Sequence, residues 1–407
     1  MPRIPVLAAI VTLGSIVGSG QTAEWHQWRG LNRDGRSTEI GLLKSWPAQG
    51  PPLAWHTTGA GVGFSSFSSA DGRLYTLGDR GDTGFVIAFD SATGKGLWET
   101  PNGRSYYNSY GNGQRGTPTI DGDRLYALGA TGDLACLDAA TGRVIWHKDL
   151  VREYRSTIPE WGYSESPLVV DDRVIVHAGG PNASIVAVNK LTGATLWRSE
   201  SDRAAYSSGV LARVGEVTQA VYFSDRRTLG VDTRDGRLLW SYDRASNRTA
   251  NIATPVVSGT RVLVSSDYDT GAGLLELSPS GAREVYFTRN MRNHYSSSVL
   301  VGDYVYGFSD SILTAMRFAD GTVAWQNRSV GKGSLIYADE RLYLYSEDGV
   351  IGLAQATPAG YQEHGRFRLP GDSPPTWSSD PIITKGKLIL RNQDDVYAYD
   401  VRASKSN

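Results

Sequence analysis

The sequence predicts an all-β fold, an eight-bladed β-propeller of four-stranded antiparallel blades closed by an N-terminal strand pairing into the last blade. Three observations carry this. A turn phrase returns eight times, with a spacing of roughly 37–51 residues that marks one repeated supersecondary unit. A second marker, a strand opening, also counts eight. The final unit lacks its last strand, while an orphan strand precedes the first unit.

The clear copies of the phrase are Asp90-Ser-Ala-Thr-Gly94-Lys-Gly-Leu-Trp98, Asp138-Ala-Ala-Thr-Gly142-Arg-Val-Ile-Trp146, Asn189-Lys-Leu-Thr-Gly193-Ala-Thr-Leu-Trp197 and Asp232-Thr-Arg-Asp-Gly236-Arg-Leu-Leu-Trp240. Arg317 to Trp325 keeps the frame without the acid, and weaker copies fall at Leu277, Ala354 and Asp400. The second marker is a Ser/Thr-Pro-like step before an apolar run, at Thr117-Pro118, Ser166-Pro167, Thr254-Pro255 and Asp380-Pro381. Phe67, Gly209, Ser298 and Leu335 hold the same place.

Within a unit, strand A follows the Pro-like step and an Asp-Gly type turn leads to strand B, as in Arg124–Leu128. Strand C ends at the Asp of the phrase, as in Phe85–Phe89, and strand D carries the Trp. Asp and Gly suit these turns because they tolerate left-handed backbone or bond their own main chain. β-branched and aromatic strands fit a sheet buried on both faces, which a ring of sheets provides and a lone sheet does not. The orphan strand D is Leu53–Thr57 with Trp55, and pairing it into the last unit removes an open edge. A count of seven competes, because the unit around Ala354 is eroded; the opening at Leu335 favours eight.

Ahead of the ring, Arg3, the apolar run Ile4–Val17 and the small residues Gly18–Ala23 read as an export signal over residues 1–23, cleaved after Gly20 or Ala23. The apolar run is too short for a membrane span, and no cysteine stands there to carry a lipid. A soluble periplasmic or secreted monomer is expected. Residues 24–50 form a head segment expected to pack on a propeller face, and residues 51–402 the propeller. Lys+Arg 41 against Asp+Glu 42 leaves no field to gather nucleic acid. Cys136 is the single cysteine, which excludes an intramolecular disulfide. It lies in an alternating strand, so a buried apolar role is expected.

The Ala-x-Thr-Gly-x-x-x-Trp phrase resembles that of the PQQ-repeat propellers, the quinoprotein dehydrogenase-like fold shared with the outer-membrane assembly factor BamB. The segment Trp25-His-Gln-Trp28-Arg-Gly-Leu-Asn32-Arg-Asp-Gly35, with Gly41 to Trp46, is similar to the head of exported members. The resemblance implies that Trp98, Trp146, Trp197, Trp240 and Trp325, with Trp55, dock between neighbouring blades, each presented by its own turn glycine. It also implies PQQ and Ca²⁺ for the enzymes of the family, where a Trp, often a vicinal disulfide, and a Glu, an Asn and an Asp cage the cofactor. No segment matches those ligand motifs, so no catalytic residue and no cofactor is expected.

One constellation stands apart from the repeat grammar. Just before each strand A the chain should cross the channel mouth, and these positions hold Phe64, Arg115, Tyr163, Tyr206, Ile252, Tyr295, Lys332 and Trp377, with Trp161, Glu165, His294 and Asp380 nearby. An aromatic funnel with a few charges suits a small-ligand or peptide site. Equally, the rings plug the channel while neighbouring serines bond across blades. Glu165 and Asp380, in distant units, are expected to pair with Arg115 or Lys332 rather than hold a metal. The six scattered histidines lack zinc spacing. The expected function is a non-catalytic binding or scaffold propeller for an envelope protein or glycan. A PQQ-dependent dehydrogenase and a glycan-recognition propeller are the alternatives.

Overall fold

Eight separate four-stranded antiparallel sheets make up the ring, seven of them in simple chain order. The computed structural model describes residues 24–370 and 379–403, so the segment read as an export signal lies outside the described residues. Blade 1 uses strands Ser68–Ala70, Arg73–Arg80, Thr83–Asp90 and Gly96–Arg104. The inner strands of blades 2 to 8 begin at Thr119, Leu168, Val210, Val256, Val299, Gly333 and Ile382. Blade 7, whose phrase is eroded, still forms all four strands and ends with Glu363–Arg368. A one-turn helix, Leu150–Tyr154, interrupts the all-β pattern between blades 2 and 3, capped by the Asp149 carboxylate accepting from the Arg152 N–H.

The ring closes through Leu53–Thr57, which pairs antiparallel with Asp395–Asp400. Trp55 stands opposite Ala398, just as Trp98 stands opposite Ala88 and Trp146 opposite Cys136, each beside a register irregularity. The N-terminal strand is thus a true fourth strand. A second tie crosses the same seam. Arg391, wholly buried, donates to the carbonyls of Ala60, Gly61, Ser65 and Leu77 at 2.7–3.0 Å, and burial pulls its guanidinium down to about 9.

The repeat glycine turns out to have a different partner from the one expected. It does not present the Trp of its own blade; it receives the ring of the preceding blade. A Cβ at Gly94 would lie 2.5 Å from the Trp55 ring, one at Gly142 2.5 Å from Trp98, one at Gly193 2.9 Å from Trp146 and one at Gly236 2.4 Å from Trp197. These glycines also sit at φ 73–76°, so both the backbone and the neighbouring indole exclude a side chain. Indole N–H groups of Trp55, Trp146, Trp197 and Trp325 then donate to carbonyls of the next blade at 2.8–3.3 Å.

Trp240 departs from the docking pattern. Blade 5 offers no close turn glycine, since Gly281 has open space around it. Trp240 lies instead on Gly230 of its own blade and donates to Gln219 Oε1 at 2.6 Å. Tyr286 takes the ring position in blade 5, resting on Gly321 and bonding the Phe318 carbonyl at 3.0 Å. In blade 7 the ring position is Gly365, opposite Leu353. Trp46 of the head segment fills that place: its Cβ is 2.6 Å from where a Gly365 Cβ would be, and its ring lies 5.8 Å from Tyr343. Trp98 and Trp146 meet Tyr75 and Tyr126 in the same way, at 5.9 and 6.0 Å.

Residues 25–37 of the head segment run through the ring axis and touch every blade. Trp25 exchanges backbone bonds with Ser69, the His26 carbonyl accepts from Ile120, and Gly35 and Ser37 pair with Tyr337. Trp28 donates to Thr254 Oγ1 at 3.0 Å. Arg29 bonds the Ser298 carbonyl at 2.8 Å and Asp380 Oδ2 at 3.0 Å. Arg33 donates to the carbonyls of Ser166, Pro167 and Gly209 and to Thr119 Oγ1.

The glycine relay gives a paired expectation. Gly142→Ala meets both a left-handed backbone and the Trp98 ring, whereas Gly122→Ala meets only the left-handed backbone, at φ 61° in open space. Gly142→Ala is expected to lose about 1–3 kcal/mol more than Gly122→Ala in urea unfolding, the cost of overpacking. Equal losses would contradict the relay.

Candidate functional site

The Ser-rich steps that open the inner strands form a belt of hydroxyls linking blades. Ser66 Oγ donates to the Asp380 carbonyl at 2.6 Å, and Thr117 Oγ1 accepts from Ser66 N at 3.2 Å. Ser166 Oγ accepts from Thr117 N at 2.9 Å, Ser208 Oγ from Ser166 N at 3.0 Å, and Ser297 Oγ from Thr254 N at 2.8 Å. Each hydroxyl replaces a sheet partner that the strand start lacks. The belt holds the chain in place where the preceding aromatic residues turn toward the axis.

Those residues surround a cavity of about 380 Å³. Phe64, Arg115, Trp161, Tyr206, Ile252, His294, Tyr295 and Asp380, all expected at the channel mouth, line it. Trp28, Thr254, Ser208 and Asp380 form the end fixed by the head segment, because Trp28 bonds Thr254 and the next residue, Arg29, grips Asp380. The head segment therefore serves as the floor of the cavity.

Three ring groups make the walls. Trp161 stands 6.1 Å from Tyr110 at 86° and 5.3 Å from Tyr206 at 47°. Across the opening, His294 lies 5.2 Å from Tyr268 at 49° and 5.8 Å from Tyr295 at 82°. Burial pulls the His294 imidazole down to about 4, so it is neutral at pH 7. The Arg115 guanidinium lies 5.2 Å from both the Phe64 and Tyr106 rings and donates to the Gly113 and Gly111 carbonyls at 2.7 and 2.8 Å. It therefore holds the Tyr-, Asn- and Gly-rich loop 105–114 that carries Tyr110.

Three expected residues fall elsewhere. Tyr163 is buried in the wall, its hydroxyl donating to the Ala178 carbonyl at 2.7 Å. Lys332 sits behind the cavity, 5.9 Å from the Tyr295 ring and 3.4 Å from Asp310. Glu165 is buried beneath Ser164 with Oε1 accepting from the His177 N–H. Trp377 lies outside the described residues. The expected pairing of Asp380 and Glu165 with Arg115 or Lys332 is corrected: Asp380 is taken by Arg29, and Arg33 is the cation that acts on Glu165. Sequence reasoning missed Tyr110, Tyr268, Thr249 and the floor residue Trp28, which belong to loops and the head rather than to strand openings.

Chemically the cavity is short of free charge. Asp380 is the one acid lining it among the described residues, and its Oδ2 is occupied by Arg29. Ca²⁺ takes about six to eight oxygens, so this donor set does not fit the Ca²⁺ of a PQQ site. Among the described residues no group of three His, Cys, Asp or Glu is placed to hold a metal. Cys136 is fully buried and burial raises its thiol, which leaves it inert.

The repeat arrangement matches a family model described as outer membrane protein assembly factor BamB over residues 54–327. The chain belongs to this PQQ-repeat propeller family. BamB from Moraxella catarrhalis superposes with a TM-score of 0.62 at 18% identity, covering 82% of this chain and 96% of that one. Quinohemoprotein alcohol dehydrogenase from Comamonas testosteroni superposes with a TM-score of 0.66 at 12% identity, over 95% and 81%. A europium-containing methanol dehydrogenase gives 0.66 at 10% identity, over 93% and 89%. No curated protein matches by sequence. At these identities the likeness establishes the fold; function rests on the site.

Glu165 supplies a pH expectation. Burial raises its carboxyl to about 8, against the opposing pull of Arg33. The unfolded chain therefore loses this proton first as pH rises from about 4.5, and the folded state loses stability until pH passes about 8. Glu165→Gln is expected to be more stable than the parent at pH 8.5, on the order of a few kcal/mol, with the difference vanishing near pH 4. A constant difference across urea titrations at both pH values would contradict this.

Proposed function

We propose that the protein is an exported, non-catalytic binding propeller that takes its ligand in the axial cavity. Its loops, above all the Tyr110 loop, would then face an envelope protein or glycan. The observation that carries this reading is the state of the cavity's charged groups. Arg115 is engaged by two carbonyls and two rings, and Asp380 by Arg29. Neither is left as a base, a nucleophile or a metal ligand, while seven aromatic side chains line the same space. Catalysis needs a group poised to take up charge in the transition state; binding needs only shape and apolar faces.

No helix among the described residues is long and apolar enough to cross a membrane. The likeness to BamB supports a scaffold role within the family, and the likeness to alcohol dehydrogenases supports the quinoprotein alternative on fold alone.

Titration of the purified protein with PQQ and Ca²⁺ separates the two. No change in quinone absorbance and no dye reduction with alcohols or sugars are expected; a spectral shift with turnover would overturn the non-catalytic reading.

A further inference from the structure

Resting on that reading of the cavity, we propose that its ligand is a neutral pyranose ring, free or as the terminal unit of a glycan chain. The geometry of the rings argues first. The neighbouring rings around the opening meet at 86°, 47°, 49° and 82°, so the wall presents single ring faces at different inclinations rather than one flat surface. A flat conjugated ligand would gain most between parallel faces. A puckered ring that presents one apolar C–H face to a single aromatic ring at a time fits inclined walls better.

Charge argues second. A peptide terminus, a phosphate or an organic cation each needs an opposite charge with capacity to spare. The one carboxylate lining the cavity among the described residues, Asp380, is already matched by the buried Arg29, with side-chain exposures of 1% for Arg29 and 5% for Asp380. A quaternary ammonium ligand is further disfavoured because Arg115 already lies against the Phe64 face and Lys332 against the Tyr295 face. What remains is uncharged hydrogen-bonding capacity. Ser164, Thr249 and Thr254 bring hydroxyls to the same space. Thr254 Oγ1 accepts from Trp28 and keeps its donor, and Ser164 Oγ donates to the Gly162 carbonyl and keeps its acceptor, so the set still offers both functions, as sugar hydroxyls require.

Access argues third. The head segment closes the axis below Trp28, where Arg29 and Arg33 are 2% and 3% exposed. A polymer could not thread the ring and would have to enter by an end. About 380 Å³ lies near the lower limit of small-molecule cavities, roughly 300–1,000 Å³, which suits one or two rings rather than a chain. Trp161, flanked by Tyr110 and Tyr206, is the natural stacking platform.

The test is titration of the full protein by isothermal calorimetry with a panel of neutral disaccharides, with the corresponding uronic acid disaccharides, and with neutral oligosaccharides blocked at either end. The expected result is binding of at least one neutral sugar, weakened at least tenfold in Trp161→Ala and Tyr206→Ala and largely retained in Trp161→Phe. Circular dichroism melting of each variant shows that the ring is intact. Equal affinity for free disaccharide and the chain end would assign a free saccharide; tighter binding of an oligomer with only one end blocked would assign a glycan terminus. Preference for the uronic acids, or no binding by any neutral sugar, overturns the pyranose assignment while leaving the cavity as a site for another ligand. Sugar binding undiminished in both alanine variants overturns the cavity itself as the binding site.

Discussion

Two arginines at the centre of the ring hold the rest of the structure in place. The innermost strand of every blade faces the axis with no further strand to pair with, so its edge carbonyls have no sheet partner. Several of these strands open on Pro, which removes an N–H and leaves the carbonyl excess larger. Arginine has five donors and no acceptor. Arg33 meets three carbonyls from blades 3 and 4, and Arg29 meets two from blade 6. The match explains why guanidinium groups are tolerated in near-complete burial, where an isolated charge would cost several kcal/mol. Burial still leaves its mark, since Arg33 is pulled down to about 10. Local backbone conformation aims both side chains at the axis. Arg29 and Arg33 have φ of 59° and 55°, and Gly35 lets Val299 and the Arg29 guanidinium approach where a Cβ would lie 2.8 and 2.4 Å from them.

At the periphery a second constraint operates, the seating of one blade's ring on the next blade's glycine. The two constraints meet in the head segment. Its first part satisfies the axis and its last part, through Trp46, supplies the ring that blade 7 lost at Gly365. The erosion of the seventh repeat and the presence of a head segment are thus two sides of one arrangement. Within the first part, Trp28 also lines the axial cavity, so the residue that bonds Thr254 forms the cavity floor as well.

Much of the fold was legible because it is periodic. The closing strand Leu53–Thr57 and strand Arg124–Leu128 occur with the bounds read from sequence. The strand-opening frame located five of the cavity-lining residues, Phe64, Arg115, Tyr206, Ile252 and Tyr295, and Trp161, His294 and Asp380 were read as their neighbours. What periodicity cannot convey is which neighbour a side chain meets. The turn glycine and the Trp four residues later are close in sequence, yet each belongs to a different interface. Non-repeating parts were opaque for the same reason. Nothing in Arg29 or Arg33 marks them as buried until the carbonyls around the axis are known, and an isolated basic residue in a polar segment reads as solvated. Tyr163 and Glu165 share the spacing of Tyr206 and Ser208 but are buried in the wall, Tyr163 packed with the helix Leu150–Tyr154 and bonded to Ser156, and Glu165 bonded to the His177 N–H.

The central claim is that residues 25–37 act as a hub for all blades rather than as a patch on one face. Hydrogen–deuterium exchange on an Arg29→Met, Arg33→Met variant tests it most directly. The hub account requires faster exchange in inner strands on opposite sides of the ring, including Leu168–Val170, Val210–Val214 and Val299–Val301, with the outer strands unchanged. Faster exchange confined to residues 25–37 would show that the blades hold together without the hub and would contradict the account.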